Sequence, residues 1–462
     1  MGSTVIWRVV LDMPLRRAFD YLPPNGASAR APIPGVRVWV PFGRQRLIGV
    51  VVSESARSEV PAERLRPILE VLDGEPVLDA AMLELLMWAA DYYHHPIGEV
   101  LATALPKALR LGAAARATQV RWVATAAGRE AHASGALKRA PQQQRLLLHL
   151  IESDGADSGT LAELSGSWRA TLRTLERRGW ATSTHEPVST PPGPAATAAR
   201  GLDLNTEQHA AVETVGAKLG HFGAYLLHGI TGSGKTEVYL QLVSRVLAQG
   251  RGALILVPEI GLTPQLVARF RERFSTPLAV LHSALTDAER LQAWRQAFSA
   301  HARIVLGTRS AVFAPMPQLG LIVVDEEHDA SFKQHEGGFR YSARDLAVVR
   351  AQRAAVPIVL GSATPAFETL FNVDAGRYQR LSLPRRTGQA QAPRLGLIDL
   401  RVNAVQAGIS TPIIDAMKRH LSAAGQVLVY LNRRGYAPTL LCTACGWTAP
   451  CADCDARLTV HQ

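Results

Sequence analysis

Apolar and polar residues alternate in short runs through the first hundred positions. Two of those runs, Val36-Arg37-Val38-Trp39-Val40 and Leu47-Ile48-Gly49-Val50-Val51-Val52, have the period of β-strands. Pro41-Phe42-Gly43 lies between them as a turn. This pattern predicts a small β-rich unit. Over residues 77–93 the period changes to that of a helix, with Met82, Leu85, Leu86 and Ala89 on one face. Residues 115–182 predict a small helical domain. Pro141 opens a helix through Gln142-Gln143-Gln144-Arg145 whose apolar stripe is Leu146, Leu147, Leu150 and Ile151. A second helix over 168–178 carries Arg169, Arg173, Arg177 and Arg178. A short basic helical domain fits a winged helix, and the arginines fit a solvated helix face equally well. The stretch 186–201, rich in Pro and Ala and without apolar period, reads as a linker.

From residue 202 onward apolar strands alternate with amphipathic helices or loops. The strands are expected at 224–228, 253–257, 278–281, 303–306, 321–324 and 357–360. That alternation predicts a parallel sheet covered by helices. No internal repeat of fixed period is present. The predicted architecture is multidomain: a small β-rich N-terminal domain, a winged-helix-like domain, an α/β lobe with a parallel sheet, and a further segment ending in a Cys-rich element. The expected boundaries are 1–110, 115–182, 183–201 for the linker, 202–384, 385–441 and 442–462.

Composition narrows the classes. The 462 residues are 47% apolar, which supports real cores and excludes wholesale disorder. No run approaches the ~18 consecutive apolar residues of a membrane span, and Met1-Gly2-Ser3-Thr4-Val5-Ile6-Trp7-Arg8 lacks the apolar core of a signal peptide. The formal charge of +11 and pI near 9.8 are compatible with a nucleic-acid partner, and charge alone does not decide it.

Chemistry concentrates in the α/β region. Gly229-Ile230-Thr231-Gly232-Ser233-Gly234-Lys235-Thr236 fits G-x-x-x-x-G-K-[ST], follows the apolar run 224–228 and opens a helical segment. Glycines there let backbone N–H groups curl around phosphates, and the helix N-terminus adds a positive dipole. Lys235 would reach the β- and γ-phosphates of a nucleotide, and the Thr236 hydroxyl would hold Mg²⁺. Leu321-Ile322-Val323-Val324 ends in Asp325-Glu326-Glu327-His328, which puts carboxylates at a strand's C-terminal end, where ligands collect in open α/β sheets. Asp325 would hold the metal and Glu326 would polarise the attacking water. Gly361-Ser362-Ala363-Thr364 follows another apolar run, and its hydroxyls can bond the acidic motif. Gln208, near a helix start at Asn205, has the donor and acceptor to read an adenine edge, and also the position of a capping-box partner.

All four cysteines, Cys442, Cys445, Cys451 and Cys454, form two C-x-x-C pairs five residues apart. Each pair aims two thiolates at one ion, and four complete a tetrahedron, so structural Zn²⁺ in a reducing compartment is expected.

Taken in order, Gly229–Leu240, Val257–Gln265, Gly307-Thr308-Arg309-Ser310, Asp325–Asp329 and Gly361–Pro365 resemble the motifs of superfamily-two helicases, and their wording resembles the PriA family of replication restart helicases. The resemblance runs through the whole chain. Pro14-Leu15, Phe19-Asp20-Tyr21 and Pro41-Phe42-Gly43 resemble that family's domain for gripping the 3′ end of a nascent strand. Asn432-Arg433-Arg434-Gly435-Tyr436 resembles its fourth motif. The resemblance implies an ATP-driven 3′→5′ DNA helicase in the cytoplasm, using ATP, Mg²⁺ and Zn²⁺. Its implied partners are forked and single-stranded DNA, primosome and helicase-loading proteins, and single-stranded DNA-binding protein. His328 would couple hydrolysis to DNA. Phe19, Asp20, Tyr21 and Gly35 would line the 3′-end pocket, with Arg66 where a lysine is often found. Arg309, Arg433 and Arg434 would touch DNA, as would Phe332, Lys333, Arg340 and Tyr341 of the aromatic and basic stretch Ser331–Tyr341. That stretch can stack on bases and neutralise phosphates, or its aromatics can pack on the sheet edge.

The family pattern continues with two further C-x-x-C pairs, the rest of a second lobe, and an arginine that reaches the γ-phosphate. None lies within these residues, so the resemblance implies a partial form that binds ATP and DNA but hydrolyses and unwinds poorly. Whether the four cysteines share one ion or form two half-sites stays open. A non-hydrolysing fork-binding scaffold is the alternative function. A P-loop kinase or transporter ATPase leaves Gly361–Thr364 and Asn432–Gly435 unexplained.

Overall fold

The period-2 run at the N-terminus forms β1 (Ile6–Leu11), followed by β2 (Phe19–Tyr21), β3 (Arg37–Phe42), β4 (Gln45–Ser55) and β5 (Glu70–Val71). The computed structural model describes residues 5–24, 33–138, 140–164, 166–187, 201–387, 394–406, 408–430, 440–442, 444–452, 454 and 457–458. It divides into two units, Met1–Gln389 and Ala390–Gln462. The five strands pair in the order β2-β1-β4-β3-β5. Leu22 N donates to Arg66 O at 2.9 Å and Ile68 N to Leu22 O at 3.0 Å, which joins the two outer edges and closes a small barrel. Alternation explains both faces. Trp7, Val9 and Leu11 fill the barrel with Val38, Val40 and Val51, while Val10 and Val50 point to the opposite side.

Helices α1 (Ala80–Tyr92), α2 (Ile97–Ala104) and α3 (Lys107–Arg110) cover that outer side. Buried Arg37 staples the barrel to them: Nε and Nη2 donate to Asp73 at 2.9 and 2.7 Å, and Nη1 donates to Leu109 O and Ala113 O at 2.5 and 2.8 Å. Leu85, Leu86 and Val100 join one continuous cluster with Ile322, Leu346 and Ile358 of the α/β lobe.

The next segment contains β6 (Thr118–Ala124), α4 (Ala126–Ala133), α5 (Pro141–Glu152), β7 (Ala156–Asp157), α6 (Ser158–Leu164), α7 (Trp168–Arg177) and β8 (Ala181–Pro187). Its antiparallel order β7-β6-β8 against the helices has the winged-helix layout. Leu146, Leu147 and Leu150 of α5 meet Trp168, Leu172 and Leu175 of α7 in its core. The arginines of α7 stay outside, with Arg169 over the Trp168 ring at 4.5 Å.

The lobe that follows contains α8 (Thr206–Gly216), β9 (Gly223–Gly229), α9 (Lys235–Ala248), β10 (Gly252–Leu256), α10 (Pro264–Arg273), β11 (Leu278–Leu281), α11 (Asp287–Phe298), β12 (Ile304–Gly307), β13 (Leu319–Asp325), α12 (Ala343–Arg353), β14 (Pro357–Ser362), α13 (Phe367–Asp374) and β15 (Gln379–Leu383). The seven strands run in the order β11-β12-β10-β13-β14-β9-β15, and every pairing is parallel. Six of them stand where the apolar runs predict. The seventh, β15, is an edge strand with polar exposed positions, Gln379, Arg380 and Ser382, so it carries no continuous apolar run. The second unit, described by itself, contains β16 (Val405–Gln406) and β17 (Ile409–Ser410) as a hairpin, α14 (Thr411–Ser422), and two short bridges, Leu441 with Thr448 and Pro450 with Arg457.

Candidate functional site

The tips of β9, β13 and β14 gather at the C-terminal edge of the parallel sheet. The turn leaving β9 curls tightly because Gly232 and Gly234 take positive φ, 77° and 80°, which side chains with a Cβ resist. Gly234 then caps the start of α9, so the helix dipole points into the turn. A cavity of about 730 Å³ opens there, lined by Thr231–Glu237, Arg269, Arg273, Asp325, Glu326 and Thr387 among others. Ser233 is wholly buried, and its Oγ has no hydrogen-bond partner among the described residues. An unsatisfied buried hydroxyl at the N-terminal end of α9 fits an oxyanion ligand.

Lys235 Nζ donates to Gly229 O at 3.0 Å and lies 3.6 Å from Glu326 Oε1. The lysine and the paired acids therefore share one cavity. Asp325 ends β13, and its Oδ1 accepts the Tyr239 hydroxyl at 2.9 Å. Burial raises the Asp325 carboxyl above the ordinary carboxylate range, against the Tyr239 hydrogen bond. Asp325 and Thr236 both line the cavity and are the oxygen donors that would hold Mg²⁺ with a nucleotide. Glu326 has a φ of +47°, a strained value for a residue with a side chain. That turn leaves its carboxylate partly exposed in the cavity and sends the next one inward. Glu327 is buried, accepting from Arg344 Nη1 at 3.2 Å, Ala366 N at 2.8 Å and Thr369 Oγ1 at 2.8 Å. His328 Nδ1 lies 2.8 Å from Ser362 Oγ and 3.7 Å from Glu326 Oε2, and Nε2 lies 3.4 Å from Thr364 Oγ1. The hydroxyls at the tip of β14 thus bond the acidic motif.

Gln208 sits beneath the turn rather than in the cavity. Its Oε1 accepts Asn205 N at 3.0 Å within a capping box, and its Nε2 donates to Ser233 O at 2.9 Å. Each end of the amide is engaged by the chain through one hydrogen bond, and the side chain is buried. A different residue clasps the turn from above: Thr387 N and Oγ1 donate to Gly232 O at 2.9 and 3.0 Å.

The expected DNA contacts divide. In the stretch Ser331–Tyr341, Lys333 and Arg340 are exposed, whereas Phe332, Phe339 and Tyr341 are buried. Phe339 stacks on Tyr341 with centroids 4.9 Å apart and meets Tyr93 edge-on at 5.6 Å. Base stacking by Phe332 and Tyr341 is therefore not available in this arrangement, because apolar burial against α1 and the lobe claims both rings. Arg309 holds the stretch from below, donating to Ser331 O and Lys333 O at 3.1 Å each.

In the barrel, Asp20 Oδ2 accepts Ser58 Oγ at 2.5 Å and Oδ1 lies 3.6 Å from Arg8 Nε. Phe19 meets Phe42 edge-on at 5.3 Å and lies under Arg17 at 5.1 Å. Tyr21 is buried in the barrel, its hydroxyl donating to Pro41 O at 3.1 Å and pushed up to about 12 by burial. Arg66 adjoins this group through its carbonyl bond from Leu22. Gly35 packs against Leu78 and Pro76. A Cβ there would lie 1.9 Å from Leu78 O, so this glycine serves the barrel's contact with the helices. Gly43, in the turn after Pro41-Phe42, has a φ of +59° and open space about it. It follows Phe42, whose ring meets that of Phe19, and so stands beside this group, within the Pro41-Phe42-Gly43 segment but outside the expected pocket residues.

Arg433 and Arg434 lie outside the described residues. Cys442 Sγ accepts the backbone N–H groups of Cys445 and Ala444, which holds its thiol below the usual range. Gly446 N closes that turn onto Cys442 O at 2.9 Å. This has the chemistry of one half of a thiolate metal site. Among the described residues, no three or more Cys, His, Asp or Glu converge as a metal site.

A phosphate turn, paired strand-tip acids and a hydroxyl-bearing third tip on one parallel sheet define a nucleotide-binding lobe of the helicase class. Residues 206–373 match the DEAD/DEAH box helicase family, and residues 8–106 match the 3′DNA-binding domain (3′BD). The chain is 43% identical to the replication restart protein PriA of Haemophilus influenzae over 99% of its own length and 62% of that protein's. It is 31% identical to that of Bacillus subtilis over 98% of its own length and 65% of that protein's. The chain belongs to the PriA family, and spans under two thirds of the length of these relatives. Among solved structures, RecG bound to a three-way DNA junction matches 42% of this chain and 25% of that one, at 20% identity and a TM-score of 0.31.

Proposed function

We propose that this chain acts as an ATP-dependent 3′→5′ DNA helicase of replication restart. In this reading the barrel takes the free 3′ end of a nascent strand at a fork, with Phe19, Asp20, Arg66 and Gly43 at the pocket. The lobe binds MgATP: the backbone of Gly229–Gly234 and Lys235 take the phosphates, Thr236 and Asp325 hold Mg²⁺, and Glu326 acts as general base. Hydrolysis is conveyed through His328 to Ser362 and Thr364, and through Arg309 to the exposed Lys333 and Arg340, which neutralise DNA phosphates. Four cysteines hold structural Zn²⁺, with Cys442 and Cys445 as one half. The partners are forked and single-stranded DNA, helicase-loading proteins and single-stranded DNA-binding protein, in the cytoplasm. No helix among the described residues is long and apolar enough to cross a membrane.

The observation that carries the reading is the 3.6 Å approach of Lys235 to Glu326 within the cavity that Asp325 also lines. The test is ATP hydrolysis with and without forked DNA, beside fork binding with free and blocked 3′ ends. DNA-stimulated turnover that vanishes in Glu326→Gln, with fork binding retained, is expected. Fork binding without turnover in the unaltered chain would replace the helicase by the scaffold reading. Equal affinity for free and blocked ends would remove the 3′-end pocket.

A further inference from the structure

Tyr239 carries none of the roles assigned so far, yet its hydroxyl stands at the centre of the site. It lies one helical turn after Lys235 on α9, on the same face. The side chain is buried, and its hydroxyl donates to Asp325 Oδ1 at 2.9 Å. A third element closes the space. Gly361 of β14 pairs in register with Asp325 of β13. A Cβ at Gly361 would fall 1.6 Å from the Tyr239 hydroxyl oxygen and 2.8 Å from its ring carbon Cζ. The hydroxyl thus fills a slot walled by the phosphate-turn helix, the acidic strand tip and the third strand tip. Glycine at 361 is what leaves the slot open.

We propose that Tyr239 is a positioning residue for the magnesium-holding carboxylate of Asp325, and that Gly361 is small in order to admit it. The proposal rests on the reading of the cavity as a MgATP site. A carboxylate on a short side chain still rotates about its last bond, and each metal-binding orientation is one of several. A hydrogen bond to one oxygen from a ring fixed in the core removes that freedom before the metal arrives. Partners of metal-binding carboxylates generally act this way, and losing one costs about 10–100-fold in metal affinity. A buried tyrosine present for packing alone would need neither the hydroxyl nor the glycine opposite it.

The test titrates Mg²⁺ into the full chain with a fluorescent ADP analogue and reads nucleotide binding, with Mn²⁺ electron paramagnetic resonance as a direct metal readout. In Tyr239→Phe, which keeps the ring, the half-saturating metal concentration should rise about 10–100-fold. Analogue binding in excess chelator should stay unchanged. Gly361→Ala should lose metal affinity and also melt earlier, because its methyl meets the hydroxyl. In the double variant the oxygen at 1.6 Å is gone and only the ring carbon at 2.8 Å remains, so melting should recover part of the way toward that of Tyr239→Phe while metal affinity stays low. Unchanged metal dependence in Tyr239→Phe would overturn the proposal and leave the nucleotide site standing. Melting losses that simply add in the double variant would overturn the role given to Gly361. Absence of any metal-dependent analogue binding in the unaltered chain would overturn the nucleotide reading and this proposal with it.

Discussion

Glu326 and Glu327 are chemically identical neighbours, and the fold gives them opposite surroundings. The Glu326 side chain is 39% exposed, the Glu327 side chain 0%. Glu327 accepts from the Arg344 guanidinium, from the N–H of Ala366 that precedes α13, and from the Thr369 hydroxyl on α13. Replacing it with alanine leaves a half-buried arginine and two donors without this acceptor. Breaking a buried ion pair in this way costs about 3–5 kcal/mol. Arg344 retains Asp345 at 2.9 Å, which places the loss near the lower end, about 3 kcal/mol. Glu327→Gln keeps the shape and an acceptor but gives up the charge facing Arg344. Hydrogen bonds to charged groups contribute about 1.5–3 kcal/mol, so a loss of about 2 kcal/mol is expected. Glu326→Gln, on a partly exposed side chain, should change stability by no more than about 0.5 kcal/mol while abolishing ATP turnover. Urea denaturation of the three variants against the unaltered chain reads all of this, provided the slopes agree. The reasoning fails if Glu327→Ala unfolds at the same urea concentration as Glu326→Gln.

Asp325 gives a pH-dependent prediction. Its carboxyl is raised in the folded state by burial, so its contribution to stability is full below the unfolded value and lost as pH rises through the folded one. At neutral pH the ionised group is therefore a cost, and Asp325→Asn should make the metal-free protein more stable there. The gain should shrink as pH falls toward the ordinary carboxylate range; a variant less stable than the unaltered chain at neutral pH would contradict the sign. It should also lose Mg²⁺-dependent nucleotide binding. For the cysteines, Co²⁺ substitution should give thiolate charge-transfer absorption, which Cys442→Ser weakens; no absorption at one equivalent of Co²⁺ would exclude the site.

How far the sequence discloses this site depends on which physical signal each residue leaves. The strands of the lobe are buried on both faces, so Leu254–Leu256, Leu321–Val324 and Ile358–Leu360 read as continuous apolar runs, and the chemistry at their tips can be placed at once. The edge strand β15 leaves no such run, and with it the clasp of Thr387 on the phosphate turn stays invisible. Polar and aromatic letters mislead where burial decides their use. Phe332 and Tyr341 stand among lysine and arginine, as a nucleic-acid loop would have them, yet both rings are buried, that of Tyr341 between Phe313 and Phe339. Gly35 and Gly43 look alike in a strand-and-turn pattern. Only three-dimensional neighbours separate a glycine pressed on Leu78 from one open beside Phe42. Tyr239 is the sharpest case. Its helical spacing from Lys235 makes it an ordinary core position, and its role depends on Asp325 and Gly361, which lie far off in sequence and meet it only because β13 and β14 are adjacent in the sheet. The groups that would touch a ligand are legible because phosphate and metal chemistry restrict their type and spacing. The groups that aim them are restricted only by the fold, and so must be read from it.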